Sequence, residues 1–291
     1  QEWHADAGRW TSMARSFPLA VHAALADVVV IVKDGPQRLA RALRRMGRRV
    51  VFDCVDNFEF ETHWAFQKGA PIDAYLVNNE RHRSAVSALT GVPESRVYSV
   101  PHHHSNFGNH LRSREAIRTV GYVGKESNAS FSVDLIEWFT NQDLEFAPCY
   151  RPVVTNEDAI SETGRLDIFV VPNDPSEVPV GKNQRWKERA LAFKPAQKIM
   201  LPFSMRIPTV FYPFQSFLSA IETAGYLPDD FLVAADDATI RERIGWILRH
   251  RGTVILAELL DRQMKVAEQF AIGRITERYA DVLREVKGRT V

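Results

Sequence analysis

Residues 28–32 read Val-Val-Val-Ile-Val, and this run constrains the fold more than any other segment. A short, continuous stretch of β-branched residues has no polar face, so it belongs to a strand covered on both sides. Gly35 and Pro36 end it, and residues 37–46 then place Leu39, Leu43 and Met46 on one helical face before Gly47. Residues 49–53, Arg-Val-Val-Phe-Asp, form the next strand. Strand, helix and strand within this span make a βαβ unit. The pattern recurs with a strand at 72–77, a helix at 79–90 closed by Gly91, and a strand at 96–100 stopped by Pro101. The expectation is an α/β protein with a parallel sheet and helices on both faces.

Residues 101–116 are polar and include three consecutive histidines, which marks a domain boundary. A second block follows, with strands at 118–123, 167–171, 208–212 and 231–234. Its helices fall at about 131–140, 195–205, 213–225 and 237–249. A last helix covers about 255–287, kinked near Gly273; Arg262, Lys265 and Glu268 interrupt any heptad seam, so it packs back on the protein rather than forming a coiled coil. The expected division is 1–115, 116–270, and a closing helix at 271–291 that returns to the first domain.

Charge and composition exclude several classes. Lys and Arg number 37 against 36 acidic residues, so no global field attracts nucleic acid. Arg38 to Arg49 is a local exception, rich in arginine and free of acid; it reads as a solvated helix face or as a contact for a membrane surface or an acceptor phosphate. No apolar run reaches the length of a membrane span, so only peripheral membrane contact is expected. Two cysteines, Cys54 and Cys149, make neither a disulfide framework nor a metal motif and suit a reducing, cytoplasmic setting. The start at Gln1, with no apolar leader, reads as a trimmed chain.

In parallel sheets ligands bind beyond the carboxyl ends of the strands. On the first domain that rule selects Asp56, His63 and His102 as candidate catalytic residues. Asp56 offers a carboxylate or a helix cap, and an Asp–His pair with His63 would make a base. The run His102–His104 lacks separated partners for a tetrahedral metal, so no metal is expected. On the second domain Gly124 and Lys125 follow a strand, as does Asn173. Glycine there lets a phosphate approach the backbone, and lysine adds charge. Lys194 and Lys198 flank Pro195 at a helix start, where two cations oppose the helix dipole unless an anion sits between them. Neither the P-loop pattern nor GxGxxG is present, which argues against a dehydrogenase.

Several of these segments together resemble the GT-B glycosyltransferases, and among them family 4 of retaining enzymes. Tyr122-Val123-Gly124-Lys125 resembles the opening of that family's donor domain. Asp167 to Pro172 with Asn173 resembles its "DIxxxPS" strand. Lys198 to Pro208 resembles "KPxxKLxEAMAxGxPVV", and Gly91-Val92-Pro93 with Val100-Pro101 resembles the end of its first domain. The resemblance implies two Rossmann-like domains facing a central cleft, a nucleoside-diphosphate sugar as donor, and a glycan, lipid-linked or small-molecule hydroxyl as acceptor. It also implies transfer with retention and no metal, the diphosphate lying against Gly124, Lys125, Lys194 and Lys198. The family's paired glutamates would fall at Phe193 and Leu201, and its glycine before the proline at Arg206. These departures leave an inverting enzyme and a non-catalytic nucleotide- or sugar-binding homologue as alternatives.

Overall fold

The structure is a computed structural model that describes residues 25–54, 63–101, 116–124, 131–150, 155–172, 192–193 and 196–289. Contacts divide the chain into two units, Gln1–Val100 with Arg278–Val291, and Pro101–Glu277. The first unit thus takes in the end of the chain, and the expected division at 115/116 falls at the edge of a stretch, 102–115, outside the described residues.

In the first unit β1 (Val28–Val32), β2 (Arg49–Asp53), β3 (Ala74–Val77) and β4 (Val97–Ser99) form one parallel sheet in the order β1-β2-β3-β4. Val28 pairs with Arg49, so β1 and β2 start level, while Ala74 pairs with Val51, so β3 starts two residues further along β2. Helices α1 (Gln37–Arg45) and α2 (Glu80–Thr90) make crossovers. The apolar runs read from sequence are buried on both faces: Val50, Val51, Phe52, Tyr75 and Leu76 are inaccessible to solvent. Each such side chain contributes about 1.5–3 kcal/mol relative to exposure. Asn79 caps α2 through the His82 N–H at 2.8 Å, and Gly91 ends it in the left-handed region at φ 71°.

In the second unit β5 (Thr119–Gly121) leads to α3 (Val133–Asn141), β6 (Glu145–Phe146), α4 (Asn156–Gly164) and β7 (Ile168–Val171). Then come α5 (Gln197–Ser204), β8 (Thr209–Phe211), α6 (Gln215–Thr223), β9 (Leu232–Val233) and α7 (Asp237–Arg249). The strand order is β6-β5-β7-β8-β9, all parallel. The chain therefore moves one way from β5 to β6 and the other way from β5 to β7. Helix α4 carries a signal that sequence reading passed over: Thr155 and Asp158 form a reciprocal capping box.

The single helix expected over about 255–287 is two helices, α8 (Val254–Glu268) and α9 (Ile272–Gly288). The break coincides with Phe270, which turns into the apolar core of the second unit. Gly273, costly inside a helix, is the second residue of α9 rather than a kink. Within the first unit α9 is anchored at three points. The Tyr279 hydroxyl donates to Asp53, the Tyr98 hydroxyl donates to Glu285 at 2.8 Å, and Lys287 pairs with Asp27 at 2.7 Å. Hydrogen bonds from Arg289 and Tyr98 hold the Glu285 carboxyl below the usual carboxylate range.

Helix α5 ends in a Schellman turn, with Arg206 N–H on Phe203 O at 3.1 Å and Ile207 N–H on Pro202 O at 2.9 Å. The turn needs a left-handed residue, and Arg206 supplies it at φ 56° while its guanidinium pairs with Asp261. A non-glycine residue there costs about 1–2 kcal/mol, and a half-exposed ion pair returns up to about 1 kcal/mol. Arg206→Gly is therefore expected to be as stable as the parent or slightly more so. Arg206→Ala keeps the strain and loses the pair, placing it about 1–2 kcal/mol below the glycine variant. Urea denaturation of the two variants checks this; equal midpoints would contradict the strain argument.

Candidate functional site

The strand order points to one place in the second unit. Where a parallel sheet reverses its winding direction, the crossovers on either side diverge and leave a crevice beyond the carboxyl ends of the two strands. Here that reversal lies between β5 and β7. Among the described strands of the first unit the order is sequential, with no reversal.

Past β5 the chain stays zipped to residues 147–149. Ala147 N–H bonds to Val120 O at 2.9 Å, Cys149 N–H to Tyr122 O at 2.7 Å, and Gly124 N–H to Cys149 O at 3.0 Å. Gly121 has no room for a side chain, since a Cβ would stand 2.5 Å from the Ala147 carbonyl oxygen. Tyr122 is fully buried, and its burial, with Tyr150 nearby, pushes the phenol well above its ordinary value. It remains a neutral hydroxyl.

Lys198 approaches this point from the first turn of α5. Its ammonium donates to the Tyr122 hydroxyl and lies 4.3 Å from the centre of the Tyr122 ring. Gly124, at φ 151°, leaves the space that the ammonium occupies: a Cβ there would collide with the Lys198 Nζ and sit 2.6 Å from the Tyr122 hydroxyl. Helix α5 carries no acidic residue in its first turn and no side-chain cap. A cation, a helix start with no acid in its first turn and a neutral hydroxyl thus meet at the reversal point, an arrangement suited to an anion such as a phosphate.

Two sequence-selected residues, Gly124 and Lys198, are therefore brought together. The glycine serves differently from the expectation: its N–H is committed to Cys149, and its missing side chain makes room for the lysine. Tyr122 was not singled out by sequence reasoning as a site residue. Lys125, Asn173 and Lys194 lie outside the described residues. Phe193 and Leu201 are both buried, Leu201 within the core beneath the sheet, so these positions serve packing.

Of the other candidate catalytic residues, Asp56 and His102 lie outside the described residues. His63 caps a 3-10 turn, Trp64–Phe66, its Nδ1 accepting from the Ala65 N–H at 3.2 Å. Its Nε2 faces Asp34 Oδ1 at 3.4 Å, and its ring packs beside Phe52, Trp64 and Phe66. An Asp–His pair is present, with Asp34 as the carboxylate. The accepting nitrogen of the imidazole is engaged by the backbone, so the pair ties the turn to the loop after β1. Trp64 strengthens that tie by donating to Gly35 O at 2.7 Å.

No protein-family model and no curated protein matches the chain. Solved structures do. A glycosyltransferase from Rickettsia africae aligns with a TM-score of 0.61 at 8% identity, over 100% of this chain and 85% of that one. HepE of Anabaena, solved in complex with UDP, aligns with a TM-score of 0.58 at 12% identity, over 94% of this chain and 84% of its own. WaaG, a glycosyltransferase involved in lipopolysaccharide biosynthesis, gives 0.55 at 11% identity, over 97% and 84%. The fold is GT-B-like. Both parallel sheets have counterparts in these neighbours, since the alignments run over nearly the whole chain. Among the described residues no helix is long and apolar enough to cross a membrane, and no group of His, Cys, Asp and Glu is placed to hold a metal ion.

Proposed function

We propose that the chain is a glycosyltransferase that moves a sugar from a nucleoside-diphosphate donor to a hydroxyl acceptor. The observation that carries this reading is the Lys198 ammonium held on Tyr122 over Gly124, at the point where the second sheet reverses. The GT-B-like neighbours support it, HepE having been solved with UDP and with UDP-glucose. In this reading the donor diphosphate lies against Lys198, and Lys125, Lys194 and Asn173 remain further candidates to bind it.

The anomeric carbon–oxygen bond breaks and its electron pair leaves with the diphosphate. The acceptor oxygen bonds to the anomeric carbon and gives its proton to a phosphate oxygen of the leaving group, with retention of configuration. Lys198 stabilises the charge that grows on the diphosphate, which is worth most where the cation is already positioned. This course asks no protein base of His63, whose accepting nitrogen the Ala65 N–H occupies. Asp56 and His102 remain candidates for aligning the acceptor.

The test is a thermal-shift screen with uridine, guanosine, adenosine and thymidine diphosphates. One of them is expected to raise the melting temperature, since ligand at 100 times its dissociation constant adds about 2.7 kcal/mol. The matching nucleotide sugars and an acceptor panel then identify product and anomer by NMR. Absence of a shift with every diphosphate would remove the donor-site reading.

A further inference from the structure

We propose that helix α1 is a docking face for a lipid surface bearing anionic phosphate headgroups. The segment Arg38–Arg49 holds six arginines and no acidic residue. The structure sorts them into two groups. Arg44 and Arg49 pair with Asp73 at 3.4 and 3.7 Å, and Arg48 lies 4.0 Å from Asp27, which Lys287 also holds. Arg38, Arg41 and Arg45 are exposed and have no ion pair among the described residues. The nearest acid in sequence, Asp34, faces His63.

Positions 38, 41 and 45 fall within an arc of about 60° on the helix and span about 10 Å along it. Ala40 and Leu43 are buried on the opposite side. The three charges form one stripe facing away from the sheet. That stripe has a cost. Like charges spaced three and four residues apart repel, and Arg38 sits in a first turn that has no acid to balance the helix dipole. An exposed helix face with no partner normally mixes signs along such rows. A single sign kept over the whole free face points to a negative counterpart.

The counterpart's chemistry follows from the side chains. Planar guanidinium forks bond phosphate oxygens two at a time, and their apolar stems lie comfortably at an interface. At the carboxyl end of α1, Met46 is 49% exposed and adds an unbranched apolar chain that headgroup-level hydrocarbon can accept. A long nucleic acid is a poorer fit, because the chain as a whole is nearly neutral, with 37 basic and 36 acidic residues, and offers no extended field. Three arginines and one methionine give weak, reversible and salt-sensitive attachment. This goes beyond the transfer reaction and stands without it.

The experiment is co-sedimentation of the full chain with phosphatidylcholine vesicles and with vesicles that also carry about 30% phosphatidylglycerol. Binding is expected only with the anionic vesicles, and to disappear at about 0.5 M salt. The variant Arg38→Gln/Arg41→Gln/Arg45→Gln is expected to lower the partition at least about tenfold. Its melting temperature and any nucleotide-induced shift stay as in the parent, which separates loss of docking from loss of fold or donor binding. Met46→Ser is expected to reduce the partition about two- to fivefold. Failure of anionic vesicles to bind the parent, or parent-like binding by the triple variant, overturns the proposal. So does a polynucleotide that displaces the protein from the vesicles at equal phosphate, because the partner would then be a soluble polyanion.

Discussion

Lys198→Ala is expected to weaken nucleoside-diphosphate binding about 10- to 100-fold, the value of a hydrogen bond to a charged group at about 1.5–3 kcal/mol. Binding of the bare nucleoside should be unchanged, because only the diphosphate meets the ammonium in the proposed geometry. Transfer should fall further than donor affinity, since the leaving group gains charge as the bond breaks. Gly124→Ala tests the same contact from the other side. It leaves Lys198 in place but puts a methyl where the ammonium lies and forces alanine to φ 151°. Both routes should give the same selective loss, the glycine variant with an added stability cost of about 1–3 kcal/mol. Calorimetric titration of diphosphate and nucleoside into each variant provides the measurement. Equal loss for both ligands would mean that the substitutions disturb the fold, and no loss for either would move the phosphate away from Lys198.

This pair of residues shows what sequence could and could not convey. The strands were readable because both faces are buried: Val28–Val32, Arg49–Asp53 and Ile168–Val171 each lie within, or within a residue of, their apolar runs. Helix ends were readable where a cap speaks locally, as with Gly91. The Lys198–Gly124 contact joins residues far apart in sequence. It was approached only through two separate oddities, a lysine at a helix start and a glycine after a strand. The role of Tyr122 was not legible at all, because a buried aromatic after a strand is ordinarily core, and only the approach of Lys198 gives its hydroxyl a purpose. The same holds for Asp34, whose pairing with His63 is a contact between residues distant in sequence. Strand order is the other non-local property. Short parallel strands announce themselves, yet the reversal at β5 that locates the crevice follows from crossovers no local pattern specifies.

The largest expected loss of stability comes from Asp167→Ala. Asp167 stands just before β7 and is buried. One of its carboxylate oxygens accepts from the Arg118 N–H at 2.8 Å, the Thr119 N–H at 2.9 Å and the Thr119 hydroxyl at 2.9 Å. It thereby closes the amino end of β5, where a strand has backbone donors and no further neighbour to take them. Alanine leaves two of those donors without an acceptor, at about 1–3 kcal/mol each, while the Thr119 hydroxyl can turn to the Arg165 carbonyl at 2.9 Å. The net loss is expected to be about 2–4 kcal/mol, a large fraction of the roughly 5–15 kcal/mol that holds a domain folded. Asp167→Asn keeps one accepting oxygen and should lose about 0.5–1.5 kcal/mol. Urea denaturation of both variants measures the series, and alanine within about 0.5 kcal/mol of the parent would show that water replaces the carboxylate at no cost. The first unit repeats the device. Asp73 precedes β3 and accepts from the Val50 N–H of β2 at 2.8 Å, with Arg44 and Arg49 beside its other oxygen. Each carboxylate sits at the amino edge of its sheet, opposite the edge where ligands bind. Asp167→Ala should therefore lower the melting temperature while leaving the diphosphate-to-nucleoside affinity ratio of the folded protein unchanged, the reverse of what Lys198→Ala does.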